Sequence, residues 1–265
     1  MFWGVAGLAA GEFLCAHTAA APPAGKVAAS TSGSLSALVI FAKFRGENIP
    51  DEPPSWAQDL FKRTLPGSFA HFYDEMSRGQ LRVEGQVLPR RYTSLDVASA
   101  YVAETPRGIG LFAQFNLEIL EQADRDVDMG LFDNDGADRI PNSGDDDGYV
   151  DIVFINLNSR PEGFFIGKAT GFASLGLETD YISNDAAANG GRIRIRSRFT
   201  GFGGTTQQGH VFALVAGSMC HEFGHVLGLP DLYDQRALGD DGELEMELES
   251  AGIGRWGLMG LGTLG

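Results

Sequence analysis

Residues 221–234 read His221-Glu-Phe-Gly-His-Val-Leu-Gly-Leu-Pro-Asp-Leu-Tyr-Asp234, and this stretch decides the reading of the chain. His221 and His225 are four residues apart, so on a helix they project from one face, a turn apart. Two imidazoles placed in this way can hold one zinc. Glu222 stands beside the first of them. It can reach a zinc-bound water and take its proton without ligating the metal, which is the position of a general base. The metal lowers the pKa of that water and polarises the carbonyl under attack. Gly228 tolerates the left-handed turn that ends the helix, and Pro230 keeps the helix from resuming. Asp231 follows, where the returning chain can present a third ligand and leave the fourth position open. Glu243, Glu245, Glu247 and Glu249 are the alternative third ligands, otherwise a solvated acidic face. Asp234 can support the ligands from behind.

The stretch 211–227 is apolar nearly all round, which predicts a helix buried in the core. Burying two histidines and a glutamate there is costly unless something binds them. Thr205 and Gln208 fit a capping box at the start of this helix. Cys220 reads as a small buried helix residue. Cys15 is the only other cysteine, so no disulfide framework is expected. A rival role for Cys15 is to ligate and silence the zinc before processing.

The chain has 265 residues, 43% hydrophobic and 21% charged, enough for one large domain or two lobes sharing a cleft. A formal net charge of −15 argues against nucleic acid as a partner, since phosphates call for a basic face. No apolar run reaches the ~18–20 residues that span a bilayer. Residues 1–30 combine an apolar stretch with an Ala-, Pro-, Ser- and Thr-rich one. They read as a signal-like leader and linker, although no basic residue precedes the apolar part. Residues 35–44 and 149–156 are continuous apolar runs, hence buried strands. Residues 81–88 alternate as a strand with one wet face, and residues 192–199 as a strand with a basic face. Helices are predicted over 56–79, ending at Gly79, and over 110–127. Residues 157–191 are Gly-, Ser- and Asn-rich without a period. The expected fold class is α+β, a twisted mixed sheet packed on helices.

From Asp124 to Asp151 the acidic residues are all aspartates. Asp133, Asp135, Asp138, Asp145, Asp147 and Asp151 are the candidate calcium ligands, in one site or two adjoining ones. Short carboxylates with glycines between them wrap a hard, oxygen-seeking cation. The pattern resembles thrombospondin type 3 calcium loops, and without a bidentate glutamate it is not an EF-hand. The competing reading is a solvated acidic loop.

The motif of residues 221–234 resembles the active-site signature of the immune inhibitor A family of bacterial metallopeptidases, peptidase family M6. Residues 72–88, Phe-Tyr-Asp-Glu-Met-Ser-Arg-Gly-Gln-Leu-Arg-Val-Glu-Gly-Gln-Val-Leu, resemble that family's segment ahead of its calcium loop. Residues 254–260, Gly-Arg-Trp-Gly-Leu-Met-Gly, resemble its Met-containing turn. The resemblance covers about residues 35–265. It implies a zincin-like catalytic domain with a buried His-Glu-x-x-His helix, secretion, catalytic zinc, structural calcium and endopeptidase action on protein or peptide substrates. Met259 then forms an apolar floor beneath the ligands. Tyr233 either donates to the oxyanion or serves structure. The domain is expected to be truncated at the C-terminus. Rival readings are a calcium-dependent binding module with a vestigial peptidase site, and an incomplete, inactive fragment. Arg192, Arg194 and Arg196 read as an edge protected by charge, or as a preference for acidic peptides.

Overall fold

β1 (Gly33–Arg45) runs through the middle of the protein because its apolar residues are continuous rather than alternating. Side chains point to opposite faces along a strand, so Leu35, Ala37, Val39 and Phe41 enter one core. Leu38, Ile40, Ala42 and Phe44 enter the other. A strand apolar on both faces needs a layer on each side. The computed structural model describes residues 30–105, 108–166, 169–232 and 257–260, and in it both layers are present.

β1 lies between β2 (Leu81–Val97) and β3 (Ile152–Leu157), parallel to both. β7 (Gly204–Gln208) pairs parallel with β3, and the short β4 (Gly171–Phe172) closes the sheet antiparallel to β7. The order is β2-β1-β3-β7-β4, a mixed sheet. α2 (Phe112–Ala123) covers one face through Phe115, Ile119, Leu120 and Ala123. α1 (Phe69–Met76) and α3 (Phe212–Val226) cover the other through Phe69, Tyr73, Val215, Met219 and Phe223. A separate hairpin of β5 (Tyr181–Ala186) and β6 (Arg192–Ile195) carries the alternating arginines. Among the described residues no helix is long and apolar enough to cross a membrane.

Several local expectations need correction. The helix expected over 56–79 is two pieces, a 3-10 turn at Ala57–Phe61 and α1. Pro66 and Gly67 break the run, and Ser68 restarts it as an N-cap, its Oγ accepting from the His71 amide at 3.1 Å. β2 continues past the expected end at Leu88. A register shift opposite Val39 and Phe41 absorbs Pro89, which cannot donate to the ladder, and the strand goes on. Thr205 and Gln208 do not cap α3. They belong to β7, where the Thr205 hydroxyl donates to Gln207 Oε1 at 2.6 Å, and the helix starts at Phe212 without a side-chain cap. Residues 157–191, read as irregular, supply β4 and β5.

Candidate metal centre

α3 ends in a Schellman turn. The Gly228 amide donates to His225 O and the Leu229 amide to Gly224 O, both at 2.9 Å, with Gly228 at φ +93°. The chain therefore doubles back beneath the helix and carries Asp231 to the histidines. His221 Nε2 and His225 Nε2 are 3.2 Å apart, and Asp231 Oδ1 lies 3.2 and 3.3 Å from them. The Asp231 side chain is only 5% exposed.

The other ring nitrogens are fixed by backbone. His221 Nδ1 donates to Leu258 O at 2.9 Å and His225 Nδ1 to Leu229 O at 2.8 Å. A carbonyl only accepts, so each Nδ1 carries the proton in the neutral ring and each Nε2 presents its lone pair. Two lone pairs and a carboxylate facing one point call for a cation. A metal held tetrahedrally at about 2.0–2.1 Å sets its donors about 3.3–3.4 Å apart, the size of this triangle. The residues fit a zinc-like ion.

Glu222 is buried beside this point. Burial lifts its carboxyl to about 7, against the opposing pull of His221 and His225. Burial works to raise Asp231 too, but without a metal a proton shared on the Nε2 side of the histidines hydrogen-bonds it. The hydrogen bonds and charges of His221 and His225 in that protonated state outweigh burial and hold the carboxyl well below the usual carboxylate range. Gly171 of β4 passes directly over Glu222, and a Cβ there would come within 2.8 Å of the Glu222 carboxyl carbon. Met259 lies under the helix, its sulfur 2.6 Å from where a Cβ on Gly224 would sit. Tyr233, Asp234, Glu243, Glu245, Glu247 and Glu249 lie outside the described residues, as do residues 254–256, Cys15 and the leader up to residue 29.

In the aspartate run, ligand oxygens of Asp133, Asp135 and Asp147 lie within 4.8 Å of one another. Burial and the charges of Asp146, Asp147 and Asp135 lift Asp133 to about 7. The other three candidates serve the loop backbone. Asp138 accepts from the Ile140 amide at 2.8 Å, and Asp145 from the Ala137 and Asp138 amides at 2.7 and 3.1 Å. Asp151 accepts from the Ser36 amide at 2.6 Å, tying the loop to β1. Arg196 is not a free basic residue. It pairs with Asp147 and lies over the Tyr149 ring at 3.8 Å.

Sequence reasoning missed Gly171, because nothing periodic marks its surroundings. It also missed Asp146, whose two oxygens take the Gly136 and Ser143 amides at 2.7 Å each. The carbonyls of Leu229 and Leu258 carry no side-chain signal at all.

Two histidines and a carboxylate converge on one point, a group that could hold a metal ion, with a buried glutamate on the same helix. The chain belongs to the immune inhibitor A peptidase M6 family, whose catalytic domain it matches over residues 59–263, and it is a metallopeptidase catalytic domain. A comparison with curated proteins gave no match.

Proposed function

We propose that this protein is a secreted zinc-dependent endopeptidase of zincin type that hydrolyses peptide bonds in protein substrates and is stabilised by calcium. The observation that carries the reading is the triangle of His221 Nε2, His225 Nε2 and Asp231 Oδ1, with sides of 3.2–3.3 Å. Zinc bound there supplies a Lewis acid that acidifies water and polarises a peptide carbonyl.

The chain's own residues do the rest. The Leu229 and Leu258 carbonyls orient both imidazoles with Nε2 toward the metal. Glu222, buried one residue from His221 on the same helix, is the group to take a proton from the attacking water and return it to the departing amine. Gly171 leaves room for that carboxylate beneath β4.

Calcium is assigned to Asp133, Asp135 and Asp147, with Asp138, Asp145 and Asp151 shaping the loop around them. Asp133 Oδ1 and Asn134 Oδ1 are buried acceptors without a donor among the described residues, which supports a cation beside them. The apolar stretch within residues 1–30 supports export.

The test is Glu222→Gln. It should keep zinc and lose peptide hydrolysis by about 10²–10⁴-fold, while His225→Ala loses both metal and activity. Near-normal turnover by Glu222→Gln would overturn the mechanism.

A further inference from the structure

Tyr73 lies on α1, outside the metal motif, yet it touches the metal helix at a revealing place. Its side chain is buried, and its ring meets Phe223 edge-on with centroids 4.8 Å apart. Its hydroxyl donates to the carbonyl of Cys220 at 2.6 Å. In an α-helix that carbonyl also receives the amide of residue 224. The turn so closed carries His221 and Glu222 and leads directly to His225.

This turn has a built-in weakness. Residue 224 is glycine, the poorest helix former after proline. A Cβ at this position would lie 2.6 Å from the Met259 sulfur, so alanine requires Met259 to shift. The helix therefore gives up rigidity at Gly224 so that Met259 can pack beneath the site. The Tyr73 hydroxyl adds a second donor to the carbonyl that the Gly224 amide bonds.

We propose that Tyr73 is a positioning residue for the metal centre, its hydroxyl bracing the helical turn that presents His221, Glu222 and His225. This rests on the zinc reading above. Burial also raises the phenol well above its ordinary range, so it stays a donor at any working pH.

Tyr73→Phe removes the hydroxyl and keeps the ring against Phe223. The variant and the unchanged protein are loaded with zinc, and release to a chelator is timed well below the unfolding temperature. Both are also loaded with cobalt(II), whose visible absorption reports ligand geometry. The expected result is zinc release faster by about tenfold, a shifted cobalt spectrum, and a lower kcat at unchanged KM. A merely structural hydroxyl would lower the melting temperature while release rate and spectrum stay those of the unchanged protein. That outcome would overturn the proposal. If the unchanged protein takes up neither metal, the zinc reading fails and this inference falls with it.

Discussion

Gly171 of the edge strand lies against Glu222 of the metal helix, with no room between them for a methyl group. The glycine is not there for its backbone, since its φ is one that other residues adopt. It is there for space. Gly171→Ala should leave the strand intact and push the Glu222 carboxylate aside. A displacement of about an ångström in a catalytic group costs on the order of 100-fold in rate. The variant is therefore expected to bind zinc normally and to lose about that much in kcat. Turnover within about threefold of the unchanged protein would show that the position of Glu222 is not held from above.

The aspartate loop predicts a pH dependence with a definite sign. Burial and neighbouring carboxylates lift Asp133 to about 7 from 3.8. Burial lifts Asp151 to about 8, despite the Ser36 and Asn134 amides that favour its charged form. A carboxyl whose folded value exceeds its unfolded one holds its proton more tightly in the fold. Its stabilising contribution is complete below the unfolded value and is lost as the pH rises through the folded one. Protein stripped of metals and reloaded with zinc alone should melt at progressively lower temperature between about pH 5 and about pH 8. Millimolar calcium should remove that decline, because the cation replaces the lost protons, and Asp133→Asn should abolish the calcium response. A melting temperature flat over this range without calcium would refute the account.

Much of the site was legible in the sequence, because a helix turns spacing directly into geometry. The separation of His221 and His225 fixes their common face, and Gly228 with Pro230 fixes where the chain returns. The strands β1 and β3 were legible because burial on both faces leaves an unbroken apolar run. Other features arise only from tertiary contact. β7 is polar, Gly-Thr-Thr-Gln-Gln, and survives in the core because its side chains bond one another and their neighbours. The Gln207 amide donates to Asn156 Oδ1 at 2.8 Å, and Thr206 Oγ1 accepts from Asn116 at 2.6 Å. Local pattern reads such residues as a cap or a loop. Likewise, the partition of the aspartates into converging and loop-bracing groups depends on backbone amides that no spacing rule locates.

Gly224 and Met259 define a second steric test. Gly224→Ala gains helix propensity of about 1 kcal/mol, yet its methyl group meets the Met259 sulfur. Met259 adjoins Leu258, whose carbonyl orients His221, so displacing it should weaken zinc binding while the helix itself is no less stable. Gly224→Ala with Met259→Ala should recover zinc affinity, since the second change makes room for the first. Equal zinc affinity in Gly224→Ala and the unchanged protein would contradict the packing argument.

The third ligand is the last discriminating test. Asp231 reaches both imidazoles through the turn at Gly228, and its carboxyl is held ionised by them. The rival donors at Glu243, Glu245, Glu247 and Glu249 have no such local device in the sequence. Asp231→Asn retains the side-chain shape and one carbonyl oxygen but removes the charge, and it should weaken zinc affinity by well over about tenfold. Each Glu→Gln change over 243–249 should leave affinity within about threefold. Equilibrium competition against a calibrated chelator measures both. If Asp231→Asn keeps full affinity while one of the glutamate variants loses it, the returning turn serves only to end the helix, and the metal takes its carboxylate from the later segment.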